Sequence, residues 1–125
     1  MNRKIIFIVS VLLLFLGLGF LINTAIAAEE MSVADPNAKV LLENDDVRVV
    51  EAIRPPGTTV PMHTHPAYVA YFFDAWKGRF TNSEGKVSEK EFGSGSVIYS
   101  PGRTHALEVI GTTNQHVLAI EWKKK

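Results

Sequence analysis

Hydrophobic residues follow two different patterns along the chain. Over residues 5–22 they run almost unbroken, interrupted only by Ser10, Gly17 and Gly19. Beyond Asn37 they come in short apolar or alternating runs separated by turn residues. Runs at 39–42 and 47–53 flank Glu43-Asn44-Asp45-Asp46, and Arg54-Pro55-Pro56-Gly57 ends the second. Runs at 60–65 and 67–73 are broken at Pro66. Runs at 78–81 and 86–92 flank Asn82-Ser83-Glu84-Gly85, the turn of a predicted hairpin. The run at 96–99 ends at Ser100-Pro101-Gly102, and runs at 105–110 and 116–122 flank Gly111-Thr112-Thr113-Asn114. These segments are rich in Val, Ile, Tyr and Phe and show no sustained helical period. They predict about eight or nine short strands and an all-β fold, its edges managed by barrel closure or by two packed sheets.

The long apolar run has its own grammar. Arg3 and Lys4 precede it, and Ala25-Ile26-Ala27 stands before Ala28-Glu29-Glu30. A positive start, an apolar centre and small residues before a cleavage point make residues 1–27 a signal peptide, cut after Ala27. The run also approaches the about 20 residues that span a bilayer, so an uncleaved anchor is the alternative. In both cases the positive end stays cytoplasmic and the rest is exported, to a periplasmic or secreted location. Residues 28–38 read as a polar leader arm, 39–122 as the β-domain and 123–125 as a solvated basic tail.

Composition narrows the function. A length of 125 residues allows one domain. Thirteen basic side chains balance thirteen acidic ones, which argues against a nucleic-acid binder held by phosphate neutralisation. The absence of cysteine excludes disulfides, thiolate-ligated zinc, iron–sulfur clusters, a thiol nucleophile and a lipid anchor on an N-terminal cysteine.

Three of the four histidines stand in informative places. His63 and His65 are two apart, so on a strand both leave the same face. His105 opens a later strand just after Pro101-Gly102. Neutral imidazoles ligate Fe, Mn, Ni, Zn or Cu, so three converging ones would make a site for a divalent transition metal. A His-x-His before a proline is by itself as readily polar surface, and the surrounding framework has to decide.

That framework resembles the cupin superfamily. Gly57 followed after five residues by His63-Thr64-His65 is similar to the start of the first cupin motif. Gly95 followed after five residues by Pro101, and then His105, is similar to the second. The resemblance implies a small antiparallel β-barrel, a jelly roll, with an ion held inside. It also has departures. The family's first motif carries a glutamate where this chain has Val69 or Ala70, and its second an asparagine where this chain has Val109. The proline-to-histidine spacing is one residue short, and Gly78 comes slightly late. What remains is a three-histidine set. Other cupins with such a set are iron dioxygenases acting on small thiols and diketones, whereas loss of the glutamate is also what decay of a metal site would leave.

Strand alternation assigns the neighbours. Continued from His63 and His65, it turns Val69, Tyr71 and Phe73 inward, with Val69 where the carboxylate would stand. Tyr71 is then the candidate catalytic phenol, or else a core residue. Phe72 points outward, which with the resemblance predicts a homodimer. Tyr99 has the same ambiguity as Tyr71. His116, in phase with Leu118, Ile120 and Trp122, reads as a structural histidine. Glu51 and Asp74 are conceivable ligands without a spacing argument, and Glu108 points to solvent. Arg103, beside His105, would attract an anionic substrate. Two functions follow. One is an exported metal-dependent, dioxygenase-like enzyme acting on a small molecule. Hydrolysis is disfavoured because no carboxylate is placed as a base. The other is a non-catalytic small-ligand-binding or sensing module. Nucleic acid is excluded as a partner, and a membrane enters only if the first segment is retained.

Overall fold

The computed structural model describes residues 35–124. The expected signal or anchor segment and residues 28–34 of the leader arm lie outside the described residues. Among the described residues nine strands follow one another: β1 (Ala38–Glu43), β2 (Val47–Arg54), β3 (Thr59–His65), β4 (Tyr68–Phe72), β5 (Trp76–Asn82), β6 (Val87–Phe92), β7 (Val97–Ser100), β8 (Arg103–Ile110) and β9 (Gln115–Trp122). Each corresponds to one of the apolar runs, with ends shifted by a residue or two.

The turns form where the local chemistry dictates. Asn44 accepts hydrogen bonds from the backbone of Asp46 and Val47, at 2.9 and 2.8 Å, closing the β1–β2 turn. Asn82 does the same for Glu84 and Lys86, at 3.0 and 2.9 Å, and closes the β5–β6 hairpin. The strands make two antiparallel sheets. One has the order β1-β2-β9-β4-β7, the other β3-β8-β5-β6. The chain passes between the sheets at β2–β3, β3–β4 and β4–β5, and again at β6–β7, β7–β8 and β8–β9.

Between the sheets lies the core: Ala52, Val60, Ala70, Phe72, Trp76, Leu107, Val109 and Val117 are buried together, with Tyr68 at one side. Burying large aliphatic and aromatic side chains contributes roughly 1.5–3 kcal/mol each, which drives the two sheets together. Gly78 marks where this packing is tightest, because a Cβ there would sit 2.5 Å from Trp76 Cζ3 and 2.8 Å from Phe80 Cε2.

Two local features aim the histidines. A register shift between Val60 and His63 marks a bulge in β3. It lets both Val60 and His63 face inward although they are three apart, while Met62 is turned to solvent. The β7–β8 turn then crosses the His65-Pro66 corner closely. Gly102 has φ +114°, and a Cβ there would lie 3.0 Å from the His65 carbonyl oxygen. No other residue type fits that crossing without strain.

One inference from alternation fails here. β3 and β4 lie in different sheets, so Pro66-Ala67 is a corner and the inward parity restarts at Tyr68. Tyr68, Ala70 and Phe72 face the core, and Val69 and Tyr71 face out. Phe73, just beyond β4, is 39% exposed. Tyr71 is therefore not a pocket phenol, Val69 does not occupy the carboxylate position, and Phe72 is a core residue rather than an outward one. In β9 the inward set is likewise Gln115, Val117 and Glu121, opposite to His116 and Trp122.

Candidate metal centre

His63 on β3 and His105 on β8 are cross-strand neighbours, and His65 follows on the same face of β3. Their rings cluster, with centroids 4.7 Å (His63–His65), 4.8 Å (His63–His105) and 5.2 Å (His65–His105) apart. One ring nitrogen from each lies within 4.8 Å of the others.

Hydrogen-bond partners orient two of the rings. His63 Nδ1 lies 2.6 Å from the Pro61 carbonyl oxygen, and His65 Nδ1 lies 2.8 Å from Glu121 Oε1. A carbonyl and a carboxylate only accept, so both Nδ1 atoms donate and the Nε2 atoms are left to present lone pairs. Those two Nε2 atoms are 2.9 Å apart. Facing lone pairs repel unless a proton or a metal cation lies between them. His105 Nδ1 is buried with no hydrogen-bond partner among the described residues, a costly state that a cation ligated by that atom would offset.

Electrostatics favour the neutral, ligating form. Burial lowers the pKa of His63 below its usual value, and the His65 ring adds to the effect. Burial, followed by the charges of His63 and His65, pushes His105 down to about 3. Neutral imidazoles hold transition metals, and orientation of Nδ1 by a carbonyl or carboxylate is the usual support for such ligands. The donor set therefore fits a divalent ion.

Several supporting residues were not legible beforehand. Glu121, on β9, brings a carboxylate to the back of His65, although none was expected near the site. It is only 4% exposed. Tyr68, not Tyr71, supplies a phenol beside the cluster, its ring 5.0 Å from that of His65. Burial raises the Tyr68 pKa, so it stays a neutral donor. Arg54 is buried with Asp35, Nε–Oδ2 2.6 Å, and with Gln115. Asp35, from the arm ahead of β1, is thus docked into the barrel. Correct inward parity in β9 and at the β3–β4 corner would have revealed Glu121 and Tyr68; no local signal marks Asp35.

The rings face a cavity of about 70 Å³, whose apolar wall includes Ala70, Phe72, Leu107 and Val117. Ala70, not Val69, is the inward residue near the position of the family glutamate. Arg103 also lines this cavity and donates from Nε to Ser100 Oγ at 3.2 Å. The remaining candidates lie elsewhere. His116 is on the outer face, stacked on Phe73 and 2.8 Å from Glu51, with Asp74 3.9 Å away. Glu51 and Asp74 are therefore not ligands of the three-histidine cluster. Tyr99 is 66% exposed, and Glu108 points outward to pair with Arg79 at 2.6 Å.

Two antiparallel sheets with a histidine cluster enclosed between them define a small β-barrel of the cupin type. Comparison with solved structures finds the same double-stranded β-helix. A cupin domain from Bordetella pertussis Tohama I aligns at TM-score 0.62 and 24% identity, over 70% of this chain and 92% of that one. An RmlC-like cupin family protein from Methanocaldococcus jannaschii aligns at TM-score 0.56 and 13% identity, over 81% and 91%. A predicted oxalate decarboxylase from Thermotoga maritima aligns at TM-score 0.52 and 24% identity, over 70% and 79%. No family model and no curated protein matches the sequence. The fold is the cupin fold, and the three histidines could form a metal site within it.

Proposed function

We propose that this protein is an exported metal-binding cupin in which His63, His65 and His105 hold a divalent transition ion, Fe, Mn, Ni, Zn or Cu, for dioxygenase-like chemistry on a small molecule. One observation carries the reading: two imidazole lone pairs converge at 2.9 Å, each ring oriented from behind by an acceptor on Nδ1. Three neutral ligands leave the ion its full charge and open positions, so it would supply Lewis-acid and oxygen-activating chemistry. The protein's own part is to hold and shield. Glu121 fixes the His65 ring, Tyr68 offers a phenolic donor, and the apolar wall keeps bulk water from the inner face.

Elemental analysis of the full-length chain, purified without a polyhistidine tag, tests this against a His63→Ala/His65→Ala control. About one equivalent of transition metal, lost in the control, is the expected result. No metal after anaerobic incubation with Fe(II), Mn(II), Ni(II) and Zn(II) would refute it. Oxygen uptake with small thiols and diketones then separates enzyme from carrier. A non-catalytic binding module is the second reading, favoured by the apolar wall of the cavity.

We also propose a homodimer. Tyr99, Val69, Ile120, Val49 and Leu42 are registered neighbours in one row across the outer face of the five-stranded sheet. Tyr99 is 66% and Leu42 49% exposed in the single chain. A second copy placed face to face would cover this row. Sedimentation of the Tyr99→Glu variant as a monomer, beside a dimeric parent, is the expected result.

A further inference from the structure

The hairpin β5–β6 sorts its charges by face. On the outer face Glu89 pairs with Lys77 and Arg79, at 3.3 and 3.0 Å, and Glu91 lies 3.6 Å from Lys77. On the inner side of β6 the residues are Ser88, Lys90 and Phe92, in line with Lys86 just before the strand. Neither Lys86 nor Lys90 has an ion-pair partner among the described residues.

These two lysines line a groove of about 490 Å³ between β6 and the β7–β8 turn. β6 and β7 are each an edge strand of their sheet, and the groove lies beside them. Among the described residues the groove's other charged residue is Arg103, and no carboxylate lines it. Phe80, Arg103 and His105 line both this groove and the inner cavity, so the two adjoin at these residues. Arg103 engages Ser100 through Nε, which leaves the rest of its planar guanidinium to take an oxyanion. A cationic cleft without counter-charges focuses anions toward its inner end. Its volume suits a metabolite rather than a polymer.

We propose that the groove is the ligand entrance and that the ligand is a small organic oxyanion, carrying a carboxylate or phosphate. Its acidic group engages Arg103 beside His105, and its body lies along β6 under Lys86 and Lys90. This deepens the metal-centre reading, and rests on it for what the inner end of the ligand meets.

Calorimetry on the full-length chain tests the proposal, with succinate, citrate and inorganic phosphate as probes and succinamide as the neutral control. Each titration is run on chelator-stripped and on Zn(II)-loaded protein, at low and at about 0.3 M salt. At least one anion should bind where succinamide does not, and more weakly in salt; the carboxylate and phosphate arms identify the acidic group. Lys86→Ala/Lys90→Ala should weaken that binding several-fold without changing metal content or melting temperature. Arg103→Gln should weaken it by about tenfold or more, and Arg103→Lys should rescue it only in part. Anion binding no tighter than that of succinamide overturns the proposal. So does binding indifferent to both sets of variants, which would leave the lysines as a guard against edge-strand pairing. If the protein takes up no metal yet shows the variant-sensitive anion binding, the metal reading falls and this one stands. Metal uptake without anion binding does the reverse.

Discussion

Glu121 contacts His65 from behind, and replacing it measures how far that contact prepares the site. The His65 Nδ1–Glu121 Oε1 distance is 2.8 Å, with the two side chains 10% and 5% exposed. Glutamine keeps an accepting oxygen of the same reach but removes the charge, whereas alanine removes both. A buried hydrogen bond to a charged acceptor contributes about 1.5–3 kcal/mol, and outer partners of metal-bound histidines typically matter about 10–100-fold in affinity. These magnitudes agree, since tenfold corresponds to about 1.4 kcal/mol. Glu121→Gln should therefore weaken Zn(II) binding about tenfold, and Glu121→Ala nearer a hundredfold. Competition against a chromophoric chelator at neutral pH reads this directly, and the Co(II) absorption spectrum reports any change of ligand geometry. His65→Ala is the reference for loss of a ligand. If both Glu121 variants bind metal within about twofold of the parent while His65→Ala abolishes binding, the carboxylate does not support the ligand and the reasoning is wrong.

Other outcomes follow from the same structure. In chelator-stripped protein, His105 has its pKa lowered to about 3 against an ordinary value of 6.5, so the unfolded chain binds the proton first. Stability should therefore fall as pH drops from about 6.5 toward 3, by about 2 kcal/mol at pH 5 from this residue, with His63 adding in the same direction; urea unfolding across that range checks the sign. Val69→Glu should leave metal affinity unchanged because Val69 faces outward, whereas Ala70→Glu, on the cavity wall, should alter it; parallel chelator competitions decide. Gly78→Ala would place a methyl 2.5 Å from Trp76 Cζ3. It should destabilise the domain by about 1–3 kcal/mol in urea melts, and an unchanged midpoint would contradict the packing described.

Much of the architecture could be read locally. Strand runs and the Asn44 and Asn82 turns depend on residues close in sequence, so alternation and turn chemistry located all nine strands to within a residue or two. His63, His65 and His105 were legible because metal ligation needs particular side chains and the flanking glycines and proline fix where the strands turn. Alternation stopped being informative at Pro66-Ala67. There the chain changes sheets, and the side-chain phase after a corner depends on how two sheets pack rather than on local spacing. That single corner displaced Val69, Tyr71, Phe72 and Phe73 to the wrong faces. The β3 bulge is the same kind of event, yet His63 and His65 lie beyond it and kept their shared phase.

An all-β domain, three imidazoles able to share a metal ion and a chain without thiol chemistry could all be read from the amino-acid sequence alone, because each follows from residue type and near spacing. It took the packing of the two sheets to bring Glu121 behind His65, to set Tyr68 rather than Tyr71 beside the site, and to line one groove with Arg103, Lys86 and Lys90. Those groups meet across sheet faces and edges, and their separation along the chain carries no record of the register that brings them together.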